Sequence, residues 1–96
     1  MPTYVHEKNI VKAILVYLNG LPNCRARKRH GSIYSVGEPD ITGCIKGQRF
    51  EFEVKAPGNT ATPLQLEEIA LWQRAGAIAE VVYSVDDVKS AMKGLV

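Results

Sequence analysis

The sequence predicts an α/β fold, a mixed four-stranded sheet flanked by helices in the order αβββαβα. Three observations carry this. Apolar residues recur at three- and four-residue steps near both ends of the chain and again after Thr62, the period of a half-buried helix. Between these stretches lie alternating runs joined at Lys46-Gly47, a dipeptide of hairpin type. A helix then separates the third strand from the fourth, so the fourth returns to the sheet after a crossover. The 96 residues make one domain, spanning 1–96, with room for a single core.

The first helix is expected from about Tyr4 to Leu18, with Thr3 as its N-cap. Ile10, Val11, Ile14, Tyr17 and Leu18 form its buried stripe, and Asn19-Gly20 followed by Pro22 stops it. Glu7 lies at the edge of that stripe. It either complements the helix dipole from the first turn or stands as an acid at the rim of a site. The stretch Cys24 to Ser35 reads as a strand and a loop, and its polar residues are mostly cationic: Arg25, Arg27, Lys28, Arg29 and His30. Such charges discourage edge-to-edge pairing of a border strand, and they also suit contact with phosphates. Neither His6 nor His30 has a sequence neighbour that would make it a nucleophile's base.

Asp40 to Ile45 and Gln48 to Val54 form the hairpin. Residues i and i+2 of a strand share a face, roughly 6.6 Å apart. Glu53 and Lys55 therefore project together, while Phe50, Phe52 and Val54 point into the core. Glu51 shares the face of Glu53 one step back and is a lesser candidate. Were Asp40 to close on Glu53 and Lys55 from the neighbouring strand, two carboxylates and an ammonium would converge, the outline of a metal-dependent phosphodiester-cleaving site. Ala56 to Thr60 is a loop. Thr62-Pro63-Leu64-Gln65 opens the next helix as a capping box with proline at the first position, which gives Gln65 a structural explanation beside any role at the site. Leu66, Ile69, Ala70 and Trp72 are its expected packing surface, and Gly76 ends it. Ala77 to Tyr83 is a covered strand, and Ser84 caps a last helix reaching about Lys93, with Val88, Ala91, Met92 and Leu95 inward.

Composition bounds the function. With 46% hydrophobic and 23% charged residues the chain reads as a folded soluble domain. A net charge of +2 does not by itself announce a nucleic-acid binder; the clustering of cations after Cys24 is more informative. No apolar run approaches the ~20 residues of a membrane span, and no secretory signal is visible. Cys24 and Cys44 make no CxxC pair and read as reduced core thiols, which points to the cytosol.

Taken in order, Glu7, Gly37-Glu38-Pro39-Asp40, Glu53-Val54-Lys55-Ala56 and Thr62-Pro63-Leu64-Gln65 resemble the PD-(D/E)xK nuclease superfamily, and within it the virus-type replication-repair nuclease (VRR-NUC) domain. The resemblance covers essentially the whole chain. It implies a restriction-endonuclease-like core, with Asp40, Glu53 and the Val54 carbonyl binding Mg²⁺ or Mn²⁺. Lys55 would orient or deprotonate the attacking water, Glu7 would contribute through a second shell or a second metal, and Gln65 would fix the phosphate or the lysine. It further implies a DNA endonuclease acting as a homodimer, of the phage-type kind implicated in cutting four-way junctions. One short chain carries one site, and symmetrical junction resolution needs two, related by a two-fold axis. Trp72 with its apolar neighbours and the first helix are the two candidate dimer surfaces. The competing readings are an inert nuclease-fold DNA-binding module and a small interaction domain in which Glu53 and Lys55 are a surface ion pair of little worth.

Overall fold

The computed structural model describes residues 6–96. Helix α1 runs Glu7–Asn19, with His6 extended ahead of it and Gly20 closing it. The expected N-cap Thr3 and helical start Tyr4 lie outside the described residues. Strands β1 (Cys24–Lys28), β2 (Ile41–Ile45) and β3 (Gln48–Val54) follow, then α2 (Pro63–Arg74), β4 (Ile78–Val82) and α3 (Val85–Ala91). The sheet order is β1-β2-β3-β4, antiparallel except for the β3–β4 pair, which is parallel. This is the mixed four-stranded α/β sheet expected from the alternation of patterns.

The β2–β3 hairpin turns in two residues. Lys46 and Gly47 both take positive φ, 49° and 83°, the handedness that matches strand twist. Ile41, Ile45, Phe50, Phe52, Val54 and Val82 meet Ile10, Ile14, Leu18, Val88 and Met92 on one face, under α1 and α3. Gly43 lies in register between Ala26 and Phe50. A Cβ there would fall 2.4 Å from the Phe50 ring, so only glycine lets that ring cross the strand. At the sheet border, the Asn19 side chain donates to the Ala26 carbonyl at 3.0 Å and accepts from its N–H at 2.9 Å. The end of α1 thereby satisfies the main chain of the outermost strand.

The opposite face is covered by α2 over β3 and β4 only. Its packing differs from expectation: Ile69 is buried, whereas Leu66 and Ala70 are exposed. The reason is the surface beneath, which carries Arg49, Glu51 and Glu53 in place of an apolar patch. Trp72 stacks on guanidinium groups there, 4.7 Å from Arg49 and 5.9 Å from Arg29. The thiols also depart from expectation. Cys24 is half-buried against the core, with its pKa raised by burial and by Cys44, but Cys44 is exposed. Its position faces α2's side of the sheet, at the end that α2 leaves open, between Arg25 and Arg49 in the register.

Candidate active site

Alternation along β3 places Glu51 and Glu53 on one face, and both are buried, at 0% and 2% exposure. Their surroundings differ. Glu51 Oε1 accepts from Arg29 Nη1 at 2.8 Å. Its Oε2 accepts from Arg49 Nε at 3.0 Å and from the Thr42 hydroxyl. Two guanidiniums and a hydroxyl thus neutralise it completely, which makes it a brace and not an open ligand. Glu53 Oε1 has no hydrogen-bond partner among the described residues, although it is buried. Its Oε2 lies 4.0 Å from Lys55 Nζ.

Asp40 closes the third side. The β2–β3 register runs Ile41 opposite Phe52, so the next step brings Asp40 opposite Glu53. Asp40 Oδ2 accepts from the Val54 N–H at 2.9 Å, taking the place of a main-chain partner just before β2 begins. A strand residue's N–H and C=O point to the same edge, so the Val54 carbonyl opens toward Asp40 while its side chain stays in the core. Burial first, and then contact with and charge from Asp40, push the Glu53 pKa up from the ordinary carboxylate range to about 8. Lys55 opposes this rise, and Glu7 adds to it from the first turn of α1. Glu7 is therefore within electrostatic reach of Glu53.

Arg29 is the residue that sequence reasoning misplaced. It was expected among the DNA-contacting cations, but its guanidinium is turned inward. It donates to the Pro39 carbonyl at 2.7 Å and to Glu51, and it pairs with Glu38 at 3.1 Å. Its backbone N–H donates to the Asp40 carbonyl at 2.7 Å. Arg29 thus clamps the Glu38-Pro39-Asp40 turn on both sides and holds Asp40 at the strand end. The signal for this network was present in sequence as Arg49 and Glu51 sharing a strand face, but nothing in the spacing tied Arg29 to them.

The other cations remain outside. Arg25, Arg27, Lys28 and His30 are exposed. Arg25 and Arg27 line a shallow cavity of about 310 Å³ with Thr42, Gly43, Cys44 and Arg49, where α2 leaves the sheet uncovered. Gln65 closes the capping box, its side-chain carbonyl accepting from the Thr62 N–H at 2.9 Å. Its amide NH₂ is the part left for another contact.

Buried Glu53, with an orphaned oxygen and a raised pKa, and half-buried Asp40 face each other beside Lys55, a site where a further cation would offset the paired acids. The donors are all hard oxygens, the set that Mg²⁺ and Mn²⁺ prefer. Among the described residues no three His, Cys, Asp or Glu side chains make a ready cage. An ion at Asp40 and Glu53 would complete its shell with the Val54 carbonyl and water, and Mg²⁺ commonly keeps several waters. The residues present fit such an ion.

Solved structures share this architecture over nearly the whole chain. One, described as a VRR_NUC domain, matches with a TM-score of 0.76 at 24% identity, covering 94% of this chain and 97% of that one. Another, described as a VRR_NUC domain protein, matches with a TM-score of 0.72 at 19% identity, covering 99% of this chain and 91% of that one. No protein-family model matches the sequence, and no curated protein does. The likeness is one of fold: the chain has the restriction-endonuclease-like fold of the VRR-NUC domain, as the ordered motifs implied.

Proposed function

We propose that this chain is a Mg²⁺- or Mn²⁺-dependent endodeoxyribonuclease that cuts branched DNA such as four-way junctions, working as a homodimer. The observation that carries the reading is the contrast on β3. Glu51 is neutralised on both oxygens, whereas Glu53, one step along, is kept buried and open beside Asp40 and Lys55. A fold seeking only stability would not leave Oε1 of that buried carboxylate without a hydrogen-bond donor.

Asp40, Glu53 and the Val54 carbonyl would hold the cation, which when bound polarises a water and offsets charge on the phosphoryl oxygens. Lys55, held near Glu53, orients that water or takes its proton and faces the charge that builds on the phosphate. The water oxygen bonds to phosphorus in line as the opposite P–O bond breaks, and a proton from water ends on the departing sugar oxygen, leaving one phosphate end and one hydroxyl end. Glu7 acts through water at the rim. Gln65 offers its amide NH₂ to a phosphate oxygen while its carbonyl stays in the capping box. Arg25, Arg27, Lys28 and His30 supply phosphate contacts beside the acids.

Incubation of the protein with an end-labelled four-way junction and Mg²⁺ or Mn²⁺ should release nicked products, and EDTA should stop it. Asp40→Asn and Lys55→Ala should abolish cutting with junction binding retained. Binding without cutting of branched, single-stranded or duplex DNA under either ion would leave the inert DNA-binding module standing in place of the enzyme.

A further inference from the structure

We propose that the loop between β1 and β2 is a wedge whose apolar tip, Ile33 and Tyr34, stacks on unstacked bases at a DNA branch point and so selects branched over linear substrate. The proposal rests on the nuclease reading for its substrate class and deepens it. Loop tips are ordinarily small and polar. Here Ile33, Tyr34 and Val36 are 81%, 92% and 63% exposed, three large apolar side chains within four residues.

The tip is held out by its own hydrogen bonds. The Ser35 hydroxyl accepts from the Ser32 N–H at 2.9 Å, the Ser32 hydroxyl accepts from the Tyr34 N–H at 3.2 Å, and the Ser35 N–H donates to the Ser32 carbonyl at 3.1 Å. Its base is pinned to the body. Gly37, at φ +85°, lies so close under Leu64 of α2 that a Cβ would come 2.6 Å from that side chain. Glu38 pairs with Arg29, which grips the Asp40 main chain. A braced loop pays little ordering entropy when it binds.

Charge and position choose the occupant. Arg27 and Lys28 at the end of β1 and His30 at the start of the loop stand exposed, where they suit a polyanion more than a second copy of the same cationic surface. A cavity of about 240 Å³, lined by Lys28, Arg29, Gly31, Ser35, Glu38, Pro39 and Asp40, runs from the loop to the catalytic aspartate. A backbone that leaves the tip and follows this cavity would reach Asp40. Linear duplex must be unstacked before an apolar wedge can enter, whereas a branch point offers bases already partly freed.

The test is binding in EDTA, where nothing is cut, to a four-way junction carrying 2-aminopurine at the branch and to a linear duplex of equal length. Tyr34→Ala, alone and with Ile33→Ser, should weaken junction binding about ten-fold, the range of one lost stacking contact, and leave duplex binding unchanged. The 2-aminopurine fluorescence change seen with the original protein should disappear in these variants and persist in Tyr34→Phe. Both side chains are exposed, so the melting temperature should not move. Undiminished junction binding, or an equal loss on both DNAs, overturns the proposal. A fall in oligomeric mass that accounts for the lost affinity overturns it in favour of a contact between protein copies. Loop-dependent junction binding without cutting by the unaltered protein would sink the nuclease and leave the wedge; cutting with loop-independent binding would do the reverse.

Discussion

Glu51 and Glu53 show how one strand face can carry two acids with opposite fates. Removing Arg29 would leave Glu51 buried with one guanidinium in place of two. Arg29→Ala should therefore destabilise the protein by about 3 kcal/mol in urea denaturation, near the low end for a broken buried pair because Arg49 and Thr42 remain. Glu53 makes a pH prediction. The folded protein holds its proton up to about pH 8, while the unfolded chain releases it near 4.5. Between those values the folded state binds more protons, so the stability of metal-free protein falls as pH rises through that window. Melting temperatures in EDTA should drop from pH 5 to pH 8 and should flatten in Glu53→Gln. Added Mg²⁺ or Mn²⁺ should raise the melting point of the original protein at pH 8 far more than at pH 5.

Among the elements, β1 combines a border position with exposed cations. Asn19 occupies the Ala26 main chain at the centre of the strand, and Arg25 and Arg27 on either side are exposed. Replacing both by alanine should weaken DNA binding at low salt and reduce the slope of log affinity against log salt by about 2, roughly one per lost phosphate contact. An unchanged slope would return them to a solvated edge. Helix α2 depends on its start more than on its apolar face, since Ile69 is its one buried residue and the capping box is complete. Thr62→Ala should cost about 1 kcal/mol of stability by thermal or urea unfolding and loosen the turn that carries Gln65.

For the whole molecule, the sheet divides the work. One face is a dry core under α1 and α3; the other is half covered by α2, which buries the acids and leaves the basic half of the sheet open. The proposed symmetrical cutting of a four-way junction by a chain with one candidate site would call for two chains about a two-fold axis. Sedimentation equilibrium should therefore give twice the 10.6 kDa of the chain. Among the described residues no helix is long and apolar enough to cross a membrane.

Periodicity alone determined the element order, the core face of β3, the hairpin turn and the capping box, because each depends on neighbours within a few residues along the chain. It also put Glu53 and Lys55 side by side, since strand geometry leaves them no other choice. What only the tertiary structure decided was which charges are already spoken for. Arg29 lies 22 residues from Glu51, and Trp72 lies on another element from the guanidiniums it covers. Pairing across such distances follows from strand register and from where α2 lands, and neither leaves a local mark in the residue pattern. The same long-range packing separates a braced glutamate from an open one, and on that separation the candidate chemistry depends.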